Sequence, residues 1–242
     1  MGTSFKLGVG MYDWKISASM ICANQGMLAA DTQIIEKSSV DWLHIDVMDG
    51  RFVPRFGMYP EQVKVIRQST NKKIDAHMMV VDPEPYISVF ADAGLDLMSV
   101  HIENNAHINR TIGMIGNAGM ESGIILNTST DIRSLEWCLD NPNLKLIMLL
   151  GINPGILGQD VWNPIYAKGR ALRTFLNAHG RNDILIQVDG SVKKHNSSKL
   201  VKNCFDVLVC GSSTIFRPKD GPLHETIRTY RDFVDSELKN EI

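Results

Sequence analysis

The stretch Trp42-Leu43-His44-Ile45-Asp46-Val47-Met48-Asp49-Gly50 carries the first structural signal of the chain. It begins as a short buried run of β type, over Trp42–Asp46, but holds a histidine and an aspartate where such a run is otherwise apolar. Side chains alternate along a strand, so His44, Asp46 and Met48 share one face while Ile45 and Val47 take the other. On both sides of this stretch the same rhythm recurs. Candidate strands are Lys15–Ser19, Trp42–Asp46, Lys73–His77, Leu97–His101, Ser122–Leu126, Leu144–Leu149, Ile184–Asp189 and Val207–Cys210. Amphipathic candidates for helices lie between and after them: Met27–Lys37, Pro60–Gln68, Glu84–Ala93, Ile108–Ala118, Ile132–Leu139, Pro164–Ala178, Lys194–Lys202 and Leu223–Leu238. Proline stands early in several, as at Asp82-Pro83 and Asn163-Pro164, where its missing N–H costs no helical bond. Eight strands each followed by a helix predict an α/β protein, a single-domain (β/α)8 TIM barrel. An open doubly wound sheet is the alternative, but no G-x-G-x-x-G follows an early strand.

Composition is consistent with one globular domain. In 242 residues, 44% are hydrophobic and 21% charged, which excludes wholesale disorder and fibrous repeats. The barrel is expected over residues 14–242, with residues 1–13 a loose extension. Twenty-five basic against 27 acidic residues give a formal charge of −2, which provides no global field for nucleic acid or an anionic membrane. No apolar run approaches a membrane span, and four dispersed cysteines form neither a disulfide framework nor a C-x-x-C pair. A cytoplasmic protein is expected, without nucleic-acid or membrane partners and assembled as a homo-oligomer.

In a parallel barrel the strand C-termini converge, and there this chain collects its polar residues. His44 and Asp46 end the second strand, Asp75-Ala76-His77 the third and Val188-Asp189-Gly190 the seventh. Taken singly, each is equally a satisfied core or cap residue. Two imidazoles and two carboxylates together suit Zn²⁺ or another borderline divalent cation. A second signal is three runs of small residues: Asn153-Pro154-Gly155-Ile156-Leu157-Gly158-Gln159, Asp189-Gly190-Ser191 and Gly211-Ser212-Ser213. Backbone amides at Gly155, Gly158, Gly190, Ser191, Gly211 and Ser212 could cradle a phosphate, with a short helical run over Ser213–Phe216 aiming its N-terminus at it.

In this order ISASM, HIDVMDGRFVP, DAHMMV, NPGILGQ, VDGS and CGSSTIF resemble the successive motifs of the ribulose-phosphate 3-epimerase family, from about Lys15 to Phe216. The resemblance implies a (β/α)8 barrel that epimerises ketose phosphates at C3 with one divalent metal ion, Zn first, with Fe, Mn or Co as alternatives. It also implies that His44, Asp46, His77 and Asp189 hold the metal, that Asp46 and Asp189 are the catalytic acid/base pair, and that Ser19, His77, Met48 and Met79 contact a small-molecule sugar phosphate. Two carboxylates suffice for such a reaction, one removing a proton on one face and the other delivering it on the opposite face.

The match has departures. Leu150 stands where a third methionine is common, Asn153 where an acidic residue is usual, Leu157 where a small residue is found and Arg55 in place of a frequent asparagine. Asn127 resembles the allulose-6-phosphate 3-epimerase branch. Together they predict that ribulose 5-phosphate is a poorer substrate than at least one other ketose phosphate. His101-Ile102-Glu103 reads as a structural support behind the site. The alternatives are a metal-free phosphosugar lyase, for which no strand end supplies the expected lysine, and a non-catalytic or altered-specificity sugar-phosphate-binding barrel.

Overall fold

The computed structural model describes residues 12–156 and 158–240. The expected extension over residues 1–13 therefore falls almost wholly outside the described residues, as does Leu157. Strands β1 (Lys15–Ser19), β2 (Trp42–Met48), β3 (Lys73–Met79), β4 (Leu97–His101), β5 (Glu121–Leu126), β6 (Leu144–Leu150), β7 (Leu185–Asp189) and β8 (Val207–Cys210) close into one parallel barrel in chain order. The eighth pairs with the first, so no edge is left open. This single-domain (β/α)8 barrel is the expected fold. Strands β2 and β3 run two residues further than the apolar pattern predicts, because Met48 pairs in register with Met79 and extends the ladder.

Helices α1 (Leu28–Glu36), α2 (Pro60–Arg67), α3 (Ile87–Asp92), α4 (Ile108–Asn117), α5 (Ile165–Ala178), α6 (Lys194–Lys202) and α7 (Leu223–Lys239) surround the barrel. Outward-facing strand residues such as Ile16, Leu43, Ile45, Ile74 and Met78 are buried against Ile35, Val63 and Ile66 of the helices in one continuous core. Each such side chain contributes roughly 1.5–3 kcal/mol on burial. The start of β1 is tied to α7: Trp14 Nε1 donates to Asp235 (2.8 Å), and the Arg231 guanidinium lies 4.2 Å over the Trp14 ring.

Three expected helices differ. Residues Ile132–Cys138 form a 3₁₀ segment, where the Ser134 amide and hydroxyl both bond the Asp131 carbonyl (3.1 and 2.7 Å) and tighten the turn. The third helical segment starts as 3₁₀ over Glu84–Tyr86, with Pro85 inside it, before α3 begins. Residues Ser213–Phe216 form a turn and no helix: the amides of Thr214, Ile215 and Phe216 all reach the Gly211 carbonyl, and Pro218 keeps Arg217 from continuing a helix. The anion-binding helix terminus expected there is therefore replaced by a turn.

The barrel interior is layered. Its floor is an apolar cluster of Trp42, Leu97, Leu146 and Val207, under which Lys73 pairs with Glu121 and lies 4.6 Å over the Trp42 ring. Above the floor the inward positions turn polar: Ser17, His44, Asp75, Ser99 and Gln187 are all fully buried. Register then stacks the upper layer, pairing His44 with Asp75, Asp46 with His77 and Leu150 with Asp189.

Candidate functional site

Asp75 anchors the polar layer. Ser17 Oγ donates to its Oδ1 (2.6 Å), and its Oδ2 takes Gln187 Nε2 (3.0 Å) and His44 Nδ1 (2.6 Å). A carboxylate only accepts, so the proton sits on His44 Nδ1 and leaves Nε2 as the atom pointing to the mouth. That Nε2 is buried and has no hydrogen-bond partner among the described residues. It faces Asp46 Oδ1 at 3.6 Å and Asp189 Oδ2 at 3.9 Å. Burial opposes a charged His44 ring, but the Asp75 and Asp46 carboxylates outweigh it and raise the ring well above its ordinary pKa. A proton there meets the same demand for positive charge that a bound cation would.

His77 approaches from the other side. Its Nδ1 is 3.0 Å from Asp189 Oδ2 and 3.9 Å from Asp46 Oδ1. Its Nε2 is 2.9 Å from His101 Nε2, and His101 Nδ1 is 3.0 Å from Glu103 Oε2. Burial takes His101 down to about 4, so this ring is neutral near pH 7. Glu103 is also buried, which works against its charge, but His101, Thr130 and the Asn127 amide hold it at about 2. Burial alone would raise Asp46, yet His44, His77 and Ser19 keep it below the ordinary carboxylate range. Ser19 Oγ donates to Asp46 Oδ2 (2.9 Å), leaving Oδ1 for the histidine pair.

One ligand atom each from His44, Asp46, His77 and Asp189 lies within 4.8 Å of the others. A tetrahedral Zn²⁺ with bonds of roughly 2.0–2.1 Å needs ligand atoms about 3.3 Å apart. The four His–Asp separations, 3.0 to 3.9 Å, bracket that, and two carboxylates match a divalent charge. The orphaned His44 Nε2 and this donor set therefore fit a divalent cation.

The cluster floors a cavity of about 570 Å³. Ser19, Asp46, His77 and Asp189 line it, while His44 lies beneath, buried. Met48, Met79 and Leu150 form apolar wall, Met48 and Met79 packing with Val53. All six residues expected around a phosphate, Gly155, Gly158, Gly190, Ser191, Gly211 and Ser212, line the same cavity. Two of these glycines are dictated by geometry. At Gly155 (φ +75°) a Cβ would sit 2.6 Å from Val53, and at Gly190 (φ +99°) 2.4 Å from Ile152. Ser191 is left-handed without being glycine (φ 57°), held by its Oγ donating to the Gln159 carbonyl (2.8 Å).

Arg55 lines the cavity as well, whereas Asn153 pairs with Gln159 in the loop. Asn127 does not reach the cavity: its amide donates to Glu103 (2.6 Å) and its carbonyl accepts Lys168 (2.6 Å). Asp75, Cys22 and Lys193 also join the site without having been expected there from the sequence. Asp75 shares the inward parity of His77, and that parity was the signal available. Cys22 sits 3.9 Å from Ser19 Oγ, and Lys193 reaches the cavity rim while paired with Asp160 (2.7 Å).

Comparison with known proteins shows the family. Residues 15–216 match the model of the Ribulose-phosphate 3 epimerase family. The chain is 38% identical to the ribulose-phosphate 3-epimerase of Synechocystis over 205 residues, covering 84% of this chain and 88% of that protein. It is 35% identical to the Bacillus subtilis protein of the same name, over 82% of this chain and 91% of its relative. Among solved structures, the KGPDC of Streptococcus mutans superposes with a TM-score of 0.71, covering 93% of this chain and 98% of that one. At 14% identity that likeness speaks to the fold alone. With the family's sequence pattern spanning the barrel and relatives this similar along most of their length, the chain belongs to the ribulose-phosphate 3-epimerase family, a family of isomerases.

Proposed function

We propose that this chain catalyses metal-dependent epimerisation at C3 of a ketose phosphate, with ribulose 5-phosphate the first substrate. The observation that carries the reading is Asp46 and Asp189, on strands two and seven, facing one cavity with an oxygen each toward the histidine pair. His44 Nε2, Asp46, His77 Nδ1 and Asp189 would hold a divalent cation, which would supply positive charge beside the substrate's oxygens; Zn²⁺, Fe²⁺, Mn²⁺ or Co²⁺ suits this donor set.

The chain's own residues do the rest. Asp46 takes the C3 proton through Oδ2, the oxygen that Ser19 orients. Asp189, which enters this direction of the cycle protonated, gives its proton to C3 on the opposite face, so that Asp46 ends protonated and Asp189 ionised; the reverse reaction starts from that state with the two roles exchanged. Met48 and Met79 exclude water from the reacting carbons. Backbone amides at Gly155, Gly158, Gly190, Ser191, Gly211 and Ser212 bind the phosphate, whose charge the turn after strand eight accommodates without a helix terminus.

Relatives named for ribulose phosphate favour a five-carbon ketose. Asn127, which pointed to a six-carbon sugar, stands apart from the cavity, so a departure from pentose specificity rests on Leu150 and Arg55. A pocket difference of that kind shifts kcat/KM by roughly 10- to 200-fold at most. The reading carries with it a cytoplasmic homo-oligomer acting on a small molecule; among the described residues no helix is long and apolar enough to cross a membrane. The test is a panel of ketose 5- and 6-phosphates assayed with zinc-loaded and chelator-treated protein. Epimerisation of at least one, dependent on metal, supports the reading; inactivity on all of them, or full activity without metal, overturns it.

A further inference from the structure

Glu103 stands two imidazole rings away from the cation site, at the end of an unbroken line. Its Oε1 accepts the Asn127 amide (2.6 Å) and the Thr130 hydroxyl, and its Oε2 faces His101 Nδ1 at 3.0 Å. His101 Nε2 faces His77 Nε2 at 2.9 Å, and His77 Nδ1 faces the cation site. The direction of every proton along this line is fixed by the carboxylate, which can only accept. His101 must therefore carry its proton on Nδ1. A charged His101 against a metal-ligating His77 would place two positive groups in contact in a buried site, so His101 is neutral and its Nε2 is bare. The single proton between the two Nε2 atoms then belongs to His77, which leaves His77 Nδ1 as a lone pair. That lone pair and Asp189 Oδ2 are 3.0 Å apart, a repulsive contact until a cation lies between them.

We propose that Glu103, acting through His101, is a positioning residue that fixes the His77 tautomer able to hold the divalent cation. It rests on the metal-centre reading above but not on the identity of the substrate. A carboxylate behind a ligand in this way gives that ligand its orientation and its basicity at once.

The variant Glu103→Gln tests this because it keeps shape and reverses one proton. The Asn127 amide is a fixed donor, so the glutamine carbonyl must occupy the Oε1 position and its NH₂ the Oε2 position, facing His101 Nδ1. His101 then takes its proton on Nε2, His77 on Nδ1, and the metal-binding lone pair is lost. In zinc-loaded wild-type protein, nitrogen NMR of labelled histidine is expected to show His101 protonated at Nδ1 and bare at Nε2. Competition with a chromophoric chelator is expected to show zinc held roughly 10- to 100-fold more weakly by Glu103→Gln. Wild-type protein with His101 protonated at Nε2, or a folded Glu103→Gln protein with wild-type zinc affinity, overturns the proposal. Should the variant fail to fold, the wild-type tautomer decides alone. Neither readout involves a ketose phosphate, so correct tautomer and affinity shifts in a protein inactive on the whole panel would remove the functional reading and leave this one standing.

Discussion

Replacing Asp75 by asparagine separates the support of the metal site from the site itself. Asp75 is fully buried and accepts from Ser17, Gln187 and His44. Asparagine fits the same space. Its NH₂ can turn to Ser17, whose hydroxyl can rotate to accept, while its carbonyl oxygen keeps facing His44 and Gln187. The His44 tautomer is preserved, unlike that of His77 in Glu103→Gln, so what is lost is charge. All three charge-assisted bonds, worth roughly 1.5–3 kcal/mol each, become neutral ones worth roughly 0.5–1.5, a loss of about 3–4 kcal/mol in total. Urea unfolding of chelator-treated protein is expected to show that loss. Zinc competition is expected to show affinity roughly 10- to 100-fold weaker, the scale of such outer partners, because the cation's histidine ligand is less basic. An Asp75→Asn protein that unfolds at the wild-type midpoint and binds zinc with wild-type affinity would mean that the Asp75 charge supports neither the fold nor the site.

Other outcomes follow from the same geometry. Asp46→Asn and Asp189→Asn should each lower kcat by at least about two orders of magnitude, measured in variants shown by metal analysis to retain zinc; near-normal turnover with metal bound would defeat the two-base assignment. Gly211→Val should block phosphate binding and raise KM, since even a Cβ at Gly211 lies 3.1 Å from Cys22 Sγ, while Ser212→Ala, which keeps its amide, should be milder. Comparable KM values for the two would count against a backbone cradle. In metal-free protein, buried His101 titrates near 4 when folded against about 6.5 when unfolded, so the unfolded chain binds the proton first and stability falls as pH drops through that window. The difference in unfolding free energy between wild type and His101→Asn should accordingly change between about pH 6.5 and 4, and a flat difference would mean that the ring is not held neutral.

Much of this was legible in the sequence because its signals are local. Short β runs alternating with amphipathic segments give the barrel, and period-two alternation puts His44 and Asp46 on the inward face. Small residues after strands six to eight mark loops that line the cavity. Asp75 was not legible as the His44 anchor, since that pairing depends on the lateral register between two strands rather than on either strand's own pattern. His101-Ile102-Glu103 was legible as a support behind the site, but its links to His77 and to Asn127 cross from strand three to the loop after strand five and lie in no single segment. The turn over residues 213–216 misled by its composition: Pro218 lies beyond the run that reads as helical, and its effect acts backward. Asn127, singled out for its resemblance to the allulose-6-phosphate 3-epimerase branch, has its backbone bonded to Glu103 and Lys168 and does not line the cavity.

Every catalytic role assigned above depends on proton exchange at C3 by Asp46 and Asp189 in a metal-loaded site. That exchange is read by incubating the zinc-loaded protein with ribulose 5-phosphate in deuterated water and following C3 by NMR. Solvent deuterium is expected at C3 of the recovered substrate and of its C3 epimer, with exchange abolished by chelation and by Asp46→Asn or Asp189→Asn. Absence of C3 exchange by the zinc-loaded protein with ribulose 5-phosphate and with every other ketose 5- and 6-phosphate, or exchange at full rate in the chelated protein, would rule the mechanism out.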